Sequence, residues 1–318
     1  MSETGDDYRR YLRPELLARI GALELRARMV VEGYYTGMHR SPYHGASVEY
    51  ADHRVYSQGD DLRHIDWKVY ARTDKHYIKE YEQETNLQCL LAVDCSESMG
   101  YRSGTAAPTK HEYAVTLAAS LAYLALNKQR DGVGLALFDE RVTRYLRPSR
   151  NPARFKTIIH ELQSGTGSAK TGLGEVLDDL AESARGGRQR MLVVLISDLF
   201  DDVEEILKGL SHLRFRGNEV IVCGVWDDAE YDLPFAGPTL FDGLEQAGRL
   251  LADPRSLRDR YLEEVRRFTD RLRHGCHRLR IDYAPFRTST PLDVALSAYL
   301  ATRSAHIRQR SSRVLGAG

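Results

Sequence analysis

Leu87-Gln88-Cys89-Leu90-Leu91-Ala92-Val93-Asp94-Cys95-Ser96-Glu97-Ser98 is the stretch on which the fold turns. Residues 87–93 are an apolar run of strand length, broken only by Gln88. A run of this kind, apolar on both faces, belongs inside a parallel sheet. Directly behind it stand an aspartate and two serines at alternate positions. Ligands of open α/β sheets bind beyond the carboxyl ends of the strands. The chemistry of this chain is therefore to be sought where this run ends.

Working outward, the same rhythm repeats. Thr109 and Glu112 have capping-box spacing before a helix predicted over 110–129, whose broad Ala/Leu face suits packing on a sheet. Strands are expected at 132–138 and 142–146, and helices over 151–162 and 173–184. A strongly apolar strand at 190–197 precedes a helix at 203–215 and a strand at 219–226. A charged helix at 255–273, a strand at 278–283 and a helix at 291–301 behind Thr290 follow. Upstream, Pro14 opens a helical pattern that includes Leu23, Ala27 and Val30, and residues 46–85 read as short strands between turns. The expected architecture is α/β and Rossmann-like: a mainly parallel sheet covered by helices on both faces. It carries an N-terminal helix and a small β-rich segment. The domains are read as 1–86, 87–303 and a flexible tail, 304–318.

Composition excludes several classes. The 318 residues hold 45 basic and 45 acidic side chains, so no positive excess marks a general nucleic-acid or membrane-surface binder. The balance hides an asymmetry: residues 1–250 carry net −7 and residues 251–318 net +7, the latter read as a solvated arginine-rich helical end. Apolar runs stop at six residues, as in 191–196, against the roughly 20 that a spanning helix needs. The start lacks a basic-then-apolar pattern, and four cysteines in so long a chain do not form a disulfide framework. The expectation is a cytoplasmic protein.

Three strand-following loops supply oxygen donors. Asp94, Ser96 and Ser98 follow the first strand, Thr171 precedes the helix at 173, and Asp198 follows the strand at 190–197. Alternate residues of an extended loop point the same way, so the first three can converge on one ion. Hard divalent cations prefer such oxygen ligands. Serine and aspartate also favour caps and turns, so D-x-S-x-S alone says little. Taken together, the five residues resemble the metal-ion-dependent adhesion site of von Willebrand factor A domains. Thr166 and Ser168 lie close by, but Thr171 is the one followed by a glycine and a helix start. The resemblance implies an Mg2+ ion (or Mn2+ or Ca2+) that keeps one position open for a partner's Asp or Glu, which is recognition rather than turnover.

The segment before the sheet narrows the resemblance. Arg54 to Trp67 reads RVYSQGDDLRHIDW and continues to Ala71-Arg72-Thr73. With Lys79-Glu80-Tyr81-Glu82, this is similar to the bacterial family called domain of unknown function 58, whose members carry an A-type domain. The resemblance implies an adaptor partnered with a MoxR-type AAA+ ATPase or its client. Gly59, Asp60, Asp61, Arg63, Asp66, Trp67 and Arg72 form the signature. Their Asp–Arg pairs are expected to pin the β-rich segment to the sheet domain.

Other readings stay open. An Asp-rich rim is compatible with an Mg2+-dependent phosphoester hydrolase, although Ser96 stands where an aspartyl-nucleophile phosphatase needs a second Asp. A structural scaffold with an empty metal site is a third reading. Asp201 and Asp202 are expected to cap the helix at 203, with Glu205 completing a capping box, and Glu97 reads as a solvated loop acid. No general base is legible, so an enzyme is not expected. His274, Cys276 and His277 lack zinc spacing, and Gly186-Gly187 lacks the lysine of a phosphate loop.

Overall fold

The structure is a computed structural model that describes residues 23, 27, 30, 53–55, 67, 70, 72, 77–79, 87–103, 108–165, 172–183, 191–243 and 248–315. The chain divides into two compact units, residues 38–86 and residues 1–37 with 87–318. In the smaller unit β1 (His53–Val55) and β2 (Tyr77–Lys79) pair antiparallel, with His53 opposite Lys79. Trp67 is exposed and meets Tyr70 edge-on at 6.0 Å, and Arg72 is exposed. The other signature residues, Gly59, Asp60, Asp61, Arg63 and Asp66, lie outside the described residues. The sequence reading groups 1–86 together, whereas the division falls after residue 37. Helical Leu23 and Ala27 are fully buried in the core of the larger unit, one turn apart, and Val30 packs on that core.

The larger unit runs β3 (Gln88–Asp94), α1 (Lys110–Tyr123), β4 (Gly132–Phe138), β5 (Val142–Ser149), α2 (Arg154–Ser164) and α3 (Leu173–Ser183). It continues with β6 (Met191–Ser197), α4 (Val203–Phe215), β7 (Glu219–Trp226), α5 (Asp228–Asp232), β8 (Thr239–Asp242) and β9 (Arg249–Ala252). It closes with α6 (Pro254–Arg278), β10 (Asp282–Arg287) and α7 (Leu292–Leu315). Six strands form one sheet in the order β10-β7-β6-β3-β4-β5. Every pair is parallel except β4 with the edge strand β5. This is the Rossmann-like α/β arrangement expected of an A-type domain.

Alternation along β3 builds the two cores. Cys89, Leu91 and Val93 face one layer, with Tyr113 and Leu117 of α1, Phe155 and Ile159 of α2, and Leu292 of α7. Leu90 and Ala92 face the other, with Leu177 of α3, Ile206 and Leu210 of α4, and Leu272 of α6. The chain lays β4 and β5 to one side of β3, then crosses back to lay β6, β7 and β10 on the other. The switch point therefore lies between β3 and β6, and their carboxyl ends meet there.

Several boundaries differ from the sequence reading, each for a physical reason. Helix α6 runs past its expected end at 273, through Gly275, to Arg278. A Cβ on Gly275 would sit 2.4 Å from Leu207 Cδ1, so the glycine serves close helix packing and not termination. The last strand moves downstream accordingly, to Asp282–Arg287. The expected tail is helical as far as Leu315, its Arg, Ser and Gln residues being tolerable helix formers without an apolar stripe. Short α5 and the β8–β9 hairpin were not expected at all.

Helix α4 crosses α3 at Gly209, where a Cβ would stand 2.6 Å from Leu177 Cβ, an atom fixed by its own backbone. Gly209→Ala is therefore expected to lower stability by about 1–3 kcal/mol, despite alanine's better helix propensity. Urea denaturation checks this; an unchanged or raised midpoint would show that the crossing yields freely.

Candidate metal centre

The rim at the switch point is built from strand ends. Asp94 closes β3, and Cys95 N–H donates to Phe138 O of β4 at 2.8 Å, which draws the following turn over the sheet end. Ser96 then begins a 3₁₀ turn, Glu97–Gly100, that contains Ser98. The sequence reading assumes an extended loop here. A tight turn does the converging instead, and the Ser96 and Ser98 hydroxyls lie 3.0 Å apart. Asp94 Oδ1 accepts the Ser96 N–H at 2.9 Å, which locks carboxylate and turn together.

Parallel register sets Val93 beside Ile196, so the next residues of β3 and β6 are neighbours. Ser197 donates its hydroxyl to Asp94 Oδ2 at 2.5 Å and accepts Leu199 N–H at 2.9 Å. Leu199 is fully buried and adopts φ 61°, a left-handed conformation that bulky L-residues seldom take. That turn holds Asp198 at the rim, where its Oδ1 accepts Phe200 N–H at 3.2 Å. Asp94 and Asp198 are both wholly buried, and Ser96 and Ser98 nearly so.

A cation from the protein already stands among these acids. Lys110 is the first residue of α1, whose capping box between Thr109 and Glu112 forms as the spacing predicts. Its side chain is 1% exposed and its Nζ lies 2.8 Å from Asp198 Oδ2 and 2.5 Å from Glu230 Oε1. Glu230 belongs to α5, and its other oxygen accepts the Asp227 N–H at 2.9 Å. Three carboxylates and one ammonium thus share the rim, an arrangement with two formal negative charges in excess.

The titration behaviour reports the crowding. Burial, and then the neighbouring Asp198 charge, push the Asp94 carboxyl up to about 7 against the bonds from Ser197 and Ser96, which favour its anion. Burial likewise raises Glu230, with Lys110 opposing. For Lys110, burial pulls downward, but Asp198 and Glu230 outweigh it and the ammonium is held.

The donor set fits a small hard cation. With Mg–O distances near 2.1 Å, adjacent ligands of an octahedral Mg2+ stand about 3 Å apart. The Ser96 and Ser98 hydroxyls, hydrogen-bonded to each other at 3.0 Å, are also at that spacing. Among the described residues no three His, Cys, Asp or Glu side chains form a metal cluster. The fit therefore rests on hydroxyls together with carboxylates.

Of the expected ligands, Asp94, Ser96, Ser98 and Asp198 stand at this one rim. Thr171 lies outside the described residues, as do Thr166 and Ser168. The residues just after Thr171 are tied to neighbouring loops: Asp201 Oδ2 accepts Leu173 N–H at 2.9 Å, and Gly172 N–H reaches Asp139 O at 3.4 Å. Asp201 thus holds the start of α3, not α4 as expected. Asp202 caps α4 as expected, accepting the N–H groups of Glu204 and Glu205, but Glu205 pairs with Lys208 and does not complete the expected capping box. Sequence reading missed Ser197, Lys110 and Glu230. Lys110 carried a signal, since a lysine at the first position of a capped helix opposes the helix dipole and asks for an acidic partner, and Glu230 carried its capping-box spacing with Asp227.

All four cysteines are buried free thiols. Cys276 is buried in the second core layer, and exposed His274 bonds to Asp270 O. No described helix is long and apolar enough to cross a membrane.

A family model described as protein of unknown function DUF58 matches residues 52–271. An uncharacterized protein of Mycobacterium tuberculosis, Rv1480, is 27% identical over 233 residues, covering 73% of this chain and 72% of the relative. Its Mycobacterium bovis counterpart, Mb1516, matches equally. Among solved structures, the conserved hypothetical protein BatB from Bacteroides thetaiotaomicron is similar at 17% identity and TM-score 0.48, covering 69% of this chain and 99% of that one. The SpRpn10 VWA domain is similar at 12% identity and TM-score 0.38, covering 67% and 94%.

Proposed function

The chain belongs to the DUF58 family, and from that premise we propose that it is a non-enzymatic, divalent-cation-dependent protein-interaction module. One observation carries the reading: two wholly buried carboxylates, Asp94 at the end of β3 and Asp198 just past the end of β6, stand beside the hydrogen-bonded hydroxyls of Ser96 and Ser98. Lys110 pairs with Asp198, whereas the printed bonds of Asp94 come from the neutral donors Ser96 and Ser197, and close carboxylates repel unless a cation or proton intervenes between them. Asp94, Ser96, Ser98 and Asp198 would hold Mg2+, with Thr171 as the fifth ligand, and Mn2+ or Ca2+ as less well fitting substitutes. A bound ion with few carboxylate ligands stays electrophilic and supplies an attachment point for an acidic residue from outside.

Asp198, Asp201 and Asp202 are each engaged in ways that favour binding over hydrolysis. Asp198 is bonded to Lys110, Asp201 holds the start of α3, and Asp202 caps α4. None of the three stands free as a general base. In the cell the module would act in the cytoplasm as an adaptor, with an acidic residue of a MoxR-type AAA+ ATPase or of its client as the captured group.

The experiment uses the full chain stripped with EDTA. Mg2+ is expected to raise its melting temperature, and the tagged chain to retain the MoxR-type ATPase of the same cell in Mg2+ but not in EDTA. Equal retention in both buffers, together with an unmoved melting temperature, overturns the reading.

A further inference from the structure

We propose that Lys110 is a resident counter-cation that competes with the divalent ion for Asp198 and so sets how tightly the rim holds it. The inference rests on the divalent-site reading above and names the residue that tunes it.

The geometry carries the argument. Asp198 offers two oxygens; one accepts the Phe200 N–H and the other receives the Lys110 ammonium. Both partners of that ion pair are at most 1% exposed, so water screens the pair little. An ion ligated by Asp198 must come within about 2.1 Å of a carboxylate oxygen. At that distance it meets a positive charge bonded to the same carboxylate, in a setting where like charges are strongly felt.

The structure also provides a place for the ammonium to retreat. Glu230 Oε1 already lies 2.5 Å from Lys110 Nζ. Glu230 is itself held, because its second oxygen caps the N–H of Asp227 in the capping box of α5. Ion entry therefore trades the Lys110–Asp198 bond for a Lys110 held by Glu230 alone. The aromatic rings of Tyr101 and Phe200 are each centred 5.9 Å from Nζ. In the metal-free protein the ammonium keeps Asp198 from standing as an isolated buried charge. The same residue thus serves the empty site and opposes its filling.

The test is a Mg2+ titration of the EDTA-stripped full chain by calorimetry, wild type against Lys110→Met and Lys110→Arg. Lys110→Met keeps an unbranched side chain only one heavy atom shorter and removes its charge. It is expected to bind Mg2+ more tightly, by about tenfold or more, and Lys110→Arg no more tightly than wild type. If wild type binds and Lys110→Met binds equally or more weakly, the counter-cation proposal is overturned and the metal reading stands. If no variant binds, the metal reading fails and takes this proposal with it. Should Lys110→Met not fold, the wild type decides: saturating Mg2+ is expected to shift the side-chain 15Nζ resonance of Lys110, and an unmoved resonance overturns the proposal.

Discussion

Asp94→Asn is expected to abolish the Mg2+-induced rise in melting temperature and to leave the metal-free fold intact. At pH 8 in EDTA it is expected to melt above the wild type. Asparagine is isosteric with aspartate. Its amide oxygen can keep the Ser96 N–H bond and its NH2 can donate to the Ser197 hydroxyl, the two partners Asp94 now has. What it loses is the charge. The Asp94 carboxyl titrates at about 7 in the folded chain, raised by burial and by Asp198 from an ordinary 3.8. A carboxyl raised on folding binds protons more readily folded than unfolded. Its contribution to stability is complete below pH 4 and is lost as pH rises through 7. Wild type at pH 8 therefore carries a buried charge that the asparagine variant lacks, and the difference between them should shrink toward pH 5. Melting curves at pH 5 and 8, with EDTA or Mg2+, read all of this. A variant that answers Mg2+ as wild type does would remove Asp94 from the metal site.

The sequence made strand ends visible and side-chain partners invisible. β4, α4 and β7 fall where the apolar patterns put them, because each is a long element with a strong period and a clear stop. Asp94 and Asp198 were legible for the same reason: they are the first acidic residues behind apolar strands. Ser197 was not, since its role depends on the β3–β6 register. Glu230 was not either, although Asp227 and Glu230 have capping-box spacing. Five helical residues without an apolar repeat gave α5 no period to detect. The β8–β9 hairpin shows its leucines to solvent, Leu240, Leu250 and Leu251 all being exposed, so it lacks the in-out alternation that marks a half-buried strand. The net charge of zero concealed the Lys110 ammonium, one lysine among eight.

Lys110 and Phe200 also tie the rim to the aromatic cluster beneath it, and this is where the largest loss of stability is expected. Trp226 ends β7 and is 2% exposed. Its ring meets Tyr231 of α5 at 5.2 Å, Phe268 of α6 at 6.0 Å and Phe200 at 6.2 Å. Gly224, two residues earlier on the same strand face, makes room for it, since a Cβ there would stand 3.1 Å from the indole Nε1. Trp226→Ala leaves a cavity that three separate elements line, and rigid strand and helix backbones close such a space only in part. The expected cost is about 3–5 kcal/mol, a large share of the roughly 5–15 kcal/mol that holds a domain together. Trp226→Phe keeps most of the volume and is expected to cost less. Urea unfolding followed by circular dichroism checks both. Phe200 is more than half exposed and rests its ring on Trp226, so the alanine variant should also loosen the loop that carries Asp198. A loss below about 1 kcal/mol would place Trp226 outside the tightly packed core. Loss of stability with an unchanged Mg2+ affinity would show that the strand ends alone, held by the Asp94–Ser197 bond and the turn at Leu199, keep the rim in place.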